Sequence, residues 1–428
     1  MARNRLMKAA MTERLSTYSP DSPKEHGIPT DSLINLYEKW GNGGFGMILT
    51  GNVPVDPLHL EGPGNLLISK ENDSPKLRAQ LKRHAKACKA DGALAVVQLT
   101  HGGRQTPTIV NPHPRSSSDI QLKGKTLGLT YGKPIPLTEE EIQSDVVERF
   151  TFAAEVCHQA GFDGVELHGG HGHLLAQFIS PTTNKRTDKY GGNAENRIRI
   201  VLEIYDSIRS KIPQSSGFLV GLKMNSVEFQ EEGLKTNDAK RMCELIDEKG
   251  FDFVDMCGGT YEKHAFEHQP ESTKIREAFF LKFTDQIRSA LKSTKMYVTG
   301  GFRTVKWMVK AIEDGNCDGV GLGRPVTAEP DLPRKILNFG VLAAADTKIN
   351  QKDHAITIAA SMTQIWQAGR FPVEKIQKVT DGIMDLSIQT LATRYLNESK
   401  IFMAEIGKKL ERGEPVSGVF EFESNIAV

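Results

Sequence analysis

Short apolar runs alternate along the chain with longer segments whose apolar positions recur at helical spacing. The runs are Arg5–Ala9, Gly46–Gly51, Leu94–Leu99, Gly164–Leu167, Leu219–Met224, Phe253–Met256, Met296–Thr299 and Gly319–Gly321, and they read as strands. Between them, Thr138-Glu139-Glu140-Glu141 has the form of a capping box and opens a helix that ends near Gly161. Another helix begins at about Asn193; within it Ile198, Val201, Leu202, Tyr205 and Ile208 share one face. Asn237–Lys249 and Phe280–Leu291 repeat the pattern, and Gly161, Gly250 and Gly315 stand where helix C-caps belong.

Eight strand–helix units over roughly 320 residues predict an α/β fold, a (β/α)8 TIM barrel with insertions. An open doubly wound sheet is the rival. Two features favour the barrel: glycine turns follow the seventh and eighth strands, and polar residues stand at the C-terminal ends of several different strands. The barrel is expected over residues 1–340. Residues 341–428 carry no strand pattern and are expected as a C-terminal helical extension packed on it, with helices near Asp353–Ala368 and Val373–Leu410. Arg104–Pro136, rich in Pro, Ser and Gly, reads as a long loop over the barrel top.

Bulk properties narrow the function. A formal net charge of +1 gives no basic field for nucleic acid or an anionic membrane. No apolar run approaches the roughly 18 residues of a spanning helix. The five cysteines are scattered, with no C-x-x-C pair, which speaks against disulfides, a zinc ribbon or an iron–sulfur cluster. The basic N-terminus lacks the apolar stretch of a signal peptide. A cytoplasmic protein acting on a small molecule is expected, as monomer or homodimer, with the C-terminal helices a candidate interface in the second case.

The most informative stretch is Asp163–Arg197. A short apolar strand runs into His168, His171 and His173, followed by an asparagine, basic residues, a tyrosine and a glycine turn. Ionisable groups at the end of a buried strand suit an α/β active site. His-x-x-His-x-His is also conceivable for zinc or non-haem iron. Against that, residues 168–173 form a glycine-rich turn rather than a helix presenting ligands four apart, and Glu166 is expected in the barrel wall. Three histidines of a surface loop are the bland reading. Two later turns, TGGFRT (Thr299–Thr304) and GLGRPVTAEPDL (Gly321–Leu332), each follow a strand and precede a helical segment. Singly they read as tight turns; as a pair at strands seven and eight they favour a phosphate site, to which Arg324 adds charge.

NRLMKAAMT, MILTGNV, VVQLTHGGRQ, GVELHGGHGHLLAQFISPTTNKRTDKYGG, VGLKMNS, VTGGFRT and GVGLGRP, in order over about residues 3–340, resemble the old yellow enzyme family of FMN-dependent NAD(P)H oxidoreductases. The resemblance implies an FMN-binding (β/α)8 barrel with NADH or NADPH as reductant. By position it implies that Ala10, Met11 and Thr12 line the flavin ring and that Gly51 passes its edge. Gln98 would bond the pyrimidine part and Lys223 would sit by N1 and the C2 carbonyl. Gly300, Gly301, Gly323 and Arg324 would hold the phosphate. His168 and His171 would bond the oxygen of a substrate's activating group. The implied reaction moves hydride from flavin N5 to the β-carbon of an α,β-unsaturated carbonyl, with two imidazole N–H groups stabilising the enolate as an oxyanion hole does.

The chain departs from the family pattern in places. Most members carry tyrosine, the acid that protonates the α-carbon, where this chain has His173. His173 itself, Tyr190 or a water is then the acid, or protonation is absent. Lys223 replaces a common arginine, which keeps the charge and loses the fork. Ala10 replaces proline. Family members usually carry an N-terminal segment, with a hairpin that closes the barrel floor, ahead of the residues matching Asn4–Arg5; a fragment, a misplaced start site or a floor open to solvent are the expectations. Cys257–His268 reads as part of the substrate wall, with Tyr261 and His264 as candidates, or as a solvated loop. An FMN-dependent ene-reductase is the leading function. A flavin barrel that isomerises or cyclises its substrate without net redox change is one alternative, and an inactive barrel serving as a binding module is another.

Overall fold

The computed structural model describes residues 2–19, 22–124, 129–227, 232–258, 287–412 and 419–423. All eight apolar runs form parallel strands: β1 (Leu6–Lys8), β2 (Met47–Pro54), β3 (Leu94–Thr100), β4 (Gly164–Gly169), β5 (Leu219–Val227), β6 (Phe253–Gly258), β7 (Lys295–Thr299) and β8 (Gly319–Leu322). They close into a barrel in the order β1-β8-β7-β6-β5-β4-β3-β2. Pairing of β1 with β8, Leu6 opposite Val320, excludes the open doubly wound sheet. The outer layer includes α1 (Asp31–Gly41), α2 (Pro75–Cys88), α3 (Glu148–Ala160), α4 (Leu174–Ile179), α5 (Ala194–Lys211), α6 (Thr236–Lys249) and α7 (Val305–Glu313). The strands read as nearly unbroken apolar runs because both faces are covered, one by helices and one by the barrel interior. The helix expected over 280–291 lies mostly outside the described residues.

Local signals were reliable. Thr138 makes the expected capping box with Glu141, and α5 is capped by Asn193, whose side chain accepts from the N–H of Asn196. Residues Ile142–Val147 are wound as a π-helix before α3, which ends at Gly161 in the left-handed conformation.

The barrel interior is built in layers. Near the strand starts Met7, Met47, Leu49, Val96, Phe253 and Tyr297 form one apolar cluster. Gly221 is required there: a Cβ on it would stand 2.2 Å from the Phe253 ring. Toward the C-terminal ends the lining turns polar. Asn52 pairs in register with Gln98, and Gln98 with Glu166. His168 pairs with Lys223, and Lys223 with Asp255. A ring of polar side chains thus crosses five adjacent strands, at the end where barrel chemistry is built.

After β8 come α8 (Pro325–Ala328), α9 (Leu332–Phe339), α10 (His354–Gly369) and α11 (Gln389–Glu411). α10 docks on α1, with Asn35 donating to the Gly369 carbonyl at 3.1 Å, and Ile365 and Ala368 join the main core. The helix expected over Val373–Leu410 begins only at Gln389. Before it lie a 3-10 turn at Val373–Lys375 and the Asp381 carboxylate, which accepts from the N–H groups of Gln377 and Lys378. Such side-chain-to-backbone bonds stabilise turns at the expense of helix. No helix among the described residues is long and apolar enough to cross a membrane.

Candidate active site

A cavity of about 220 Å³ opens at the C-terminal mouth of the barrel, lined by Ala10, Met11, Thr12, Asn52, Glu61, Gln98, His168, His171, His173 and Lys223. Eight of these ten were singled out in the sequence, from segments more than 200 residues apart.

β4 carries His168 to the rim, and the chain then turns sharply. His171 has φ +54° and Gly172 φ +77°, so a non-glycine residue sits in the left-handed region. Holding it there costs about 1–3 kcal/mol, which the surrounding contacts must supply. The turn folds His171 back, its Nδ1 3.3 Å from His168 Nε2. His173, at the N-cap of α4, brings its ring 4.2 Å from that of His168. Burial pushes His168 well below the usual imidazole range, and the nearby His173, His171 and Lys223 add to the shift. Burial likewise lowers His173 to about 4, against the opposing charge of Glu61. At neutral pH both rings are uncharged, each with one N–H and one lone pair.

One layer deeper on the same strands, Gln98 Nε2 donates to Glu166 Oε1 at 2.6 Å. Glu166 Oε2 is buried without a partner, and burial raises this carboxyl to about 8, with Asp255 adding and Lys223 opposing. Lys223 is ion-paired to Asp255, whose other oxygen accepts from Thr299 Oγ1 at 2.7 Å. Burial alone would lower the ammonium; the charge of Asp255, with Cys257 and Glu166 behind it, raises it instead. A cation is therefore fixed in a nearly dry wall. Thr12 Oγ1 lies 2.7 Å from Asn52 Oδ1 and 2.9 Å from Glu61 Oε2.

Other candidates fall elsewhere. Gly51 stands behind the cavity: its N–H donates to Glu13 Oε1 at 2.7 Å, and a Cβ would collide with Glu13 and with the Met11 carbonyl. Its neighbour Asn52 takes the wall position. Gly323 opens toward the cavity, where a Cβ would approach only Met11 Sδ at 3.8 Å, and Gly301 is left-handed with φ +78°. Gly300 and Gly301 are half-buried at the end of β7. Arg324 bonds Thr357 Oγ1 of α10 at 3.0 Å and lines a second, smaller cavity with Arg303. Tyr190 is not at the site; its hydroxyl donates to Glu203 Oε2 at 2.7 Å in the outer layer. Tyr261 and His264 lie outside the described residues.

A second histidine cluster lies close by. Asp56, His59 and His101 are buried with ligand-type atoms within 4.8 Å of one another. His59 Nδ1 bonds Asp56 Oδ2 at 2.9 Å, while its Nε2 accepts from the Arg115 N–H at 2.9 Å. His101 Nδ1 accepts from the Gly103 N–H at 3.1 Å, and its Nε2 faces Asp56 Oδ2 at 3.6 Å. A metal ion would have to displace these bonds. Sequence reasoning missed Asn52, Glu61, Thr100, Glu166 and Asp255. Period-two spacing could have found two of them, since Thr100 follows Gln98, and Glu166 precedes His168, by two residues on one strand face.

A parallel barrel with a donor-lined cavity on its C-terminal mouth and glycine turns after β7 and β8 suits a phosphate-bearing flavin. Residues 1–339 match the NADH:flavin oxidoreductase / NADH oxidase family, and the chain belongs to it. Members of the family use FMN with a nicotinamide reductant, and the chain is an oxidoreductase of that kind. It is 41% identical over 391 residues to the NADH-dependent flavin oxidoreductase nadA of Aspergillus parasiticus, covering 91% of this chain and 85% of the relative. It is 33% identical to the NADH-dependent flavin oxidoreductase iccE of Talaromyces variabilis, over 81% and 86% of the two chains. Among solved structures it resembles morphinone reductase in complex with tetrahydroNAD (TM-score 0.63, 25% identity, 81% and 89% covered). An old yellow enzyme homologue from Zymomonas mobilis shares the fold (TM-score 0.65, 22% identity, 81% and 91% covered).

Proposed function

We propose that this chain is an NADH-dependent ene-reductase acting on small α,β-unsaturated carbonyl compounds. The observation that carries the reading is the placement of His168 and His171 side by side on a cavity that Gln98 and Lys223 also line. Bound FMN supplies the hydride. Ala10, Met11 and Thr12 form the wall expected against the ring, Gln98 and Lys223 offer donors to its polar edge, and Lys223 balances negative charge there. The turns at Gly300, Gly301, Gly323 and Arg324 offer backbone N–H groups and a cation to the phosphate. His168 and His171 bond the carbonyl oxygen and stabilise the charge that builds on it, each such donor contributing about 3 kcal/mol. Convergence of so many polar groups on one cavity speaks for chemistry rather than for an inert binding module. Purified protein should be yellow, bleached by NADH without oxygen and restored by cyclohexenone. Colourless protein that cannot be reconstituted with FMN would sink this reading, and turnover of substrate without any nicotinamide would replace it with isomerisation.

A further inference from the structure

Thr100, the last residue of β3, lies between two of the three site histidines. Its hydroxyl is 3.2 Å from His168 Nδ1 and 3.0 Å from His173 Nδ1, and the side chain is buried at 1% exposure. A hydroxyl has one proton. If both rings donated to it, that proton would be sealed in the interior without an acceptor, which is strongly disfavoured. If both rings offered lone pairs, only one could be satisfied. Thr100 therefore donates to one ring and accepts from the other. The outer nitrogens are then fixed in opposite states. When His168 carries its proton on Nε2, His173 carries its own on Nδ1, and His173 Nε2 is a lone pair. Reversing both hydrogen bonds exchanges the two states.

We infer that Thr100 makes His168 and His173 a reciprocal acid–base pair that moves a proton between the oxygen and the α-carbon of a bound substrate. The inference rests on the ene-reductase reading for its substrate. A substrate oxygen at His168 Nε2 takes the place of the His171 contact described above. Once the β-carbon holds hydride, the substrate is an enolate. Its oxygen takes the Nε2 proton of His168. The Thr100 proton moves to His168 Nδ1, the Nδ1 proton of His173 moves to Thr100, and His173 Nε2 takes one proton from water, whose hydroxide leaves to bulk solvent with the enolate's charge. The enol then collapses to the ketone. The His173 Nε2 proton goes to the α-carbon, the enol proton returns to His168 Nε2, and both bonds to Thr100 reverse. The sum is one proton from water to carbon, with no change of oxidation state in this part of the reaction. Every imidazole is neutral before and after, as the low proton affinity of the two buried rings requires. Imidazole can in this way stand in for a phenolic acid without being charged first.

Thr100 acts here through the two rings and is a positioning residue. The test uses the FMN-loaded full chain with ¹⁵N-labelled histidine, as wild type, Thr100→Ser and Thr100→Val. In wild type and in Thr100→Ser, ring ¹⁵N shifts should show His168 and His173 in opposite tautomers; in Thr100→Val the coupling should vanish. Stopped-flow should show Thr100→Val slowing cyclohexenone reduction by about 10²-fold more than it slows flavin reduction by NADH, with Thr100→Ser restoring the ratio. Like tautomers in wild type, or a Thr100→Val ratio equal to wild type, would overturn the inference even if the enone is reduced well. If no enone is reduced, the ene-reductase reading falls, and the tautomers alone decide whether the pair is reciprocal.

Discussion

The barrel mouth holds two histidine clusters that look alike in composition and differ in what they leave open. Asp56, His59 and His101 form a closed set: two ring nitrogens accept backbone N–H bonds, and the other two turn toward one carboxylate. His168, His171 and His173 are tied to one another and to a hydroxyl, and all three line a cavity. Burial lowers His101 and His173 to about 4 alike. A shifted proton affinity therefore does not separate a structural cluster from a reactive one. Access to a cavity does.

Breaking the closed cluster should have the largest effect, and on stability. Asp56→Ala would strand two imidazoles and leave Arg149 without one of its carboxylates. Urea unfolding should show a loss of about 3–5 kcal/mol. Opening the reactive cluster should act on rate: His168→Ala should slow enone reduction by a factor of about 10²–10³ in single-turnover stopped-flow. A smaller effect concerns pH. Unfolded His101 and His173 bind protons below about 6.5, whereas the folded rings do so only near about 4. Between those values the unfolded chain holds more protons, so stability falls as the solution is acidified. His101→Gln and His173→Gln should each remove about one proton from the uptake on unfolding at pH 5, and only the His173 variant should slow the enone step. His171→Asn should change least. Asparagine tolerates the left-handed backbone and keeps an N–H donor, so the KM for cyclohexenone should stay within about tenfold, a shift of 1.4 kcal/mol.

Much of this was legible in the sequence. Buried parallel strands write themselves as short apolar runs, and all eight stand where the pattern put them. Of the eight cavity residues foreseen, the three histidines stood out as ionisable groups at the end of an apolar strand, and the other five came from motif resemblance, because nothing in hydropathy links Thr12 to Lys223. What escaped was the polar ring inside the barrel. Glu166 was expected in the wall; it bonds Gln98 on one neighbouring strand and feels the charge of Lys223 on the other. Strand alternation places it on the face of His168, but only register reveals which neighbours it meets. Glu61 reaches the cavity from a loop, where no periodicity applies. Gly51 and Asn52 exchanged places because the register between β2 and β3 shifts between Leu49 and Asn52.

The closure of the barrel also sets a clock. β1 hydrogen-bonds β8, with Leu6 opposite Val320, so the sheet is incomplete until nearly the whole barrel sequence has left the ribosome. At about 5–20 residues per second that interval is roughly 15–60 s. Throughout it the first strand has an unpaired edge, and the apolar faces of α1 and α2 lack part of their cover. A nascent chain of this topology depends on chaperones during synthesis far more than the finished, edgeless barrel does.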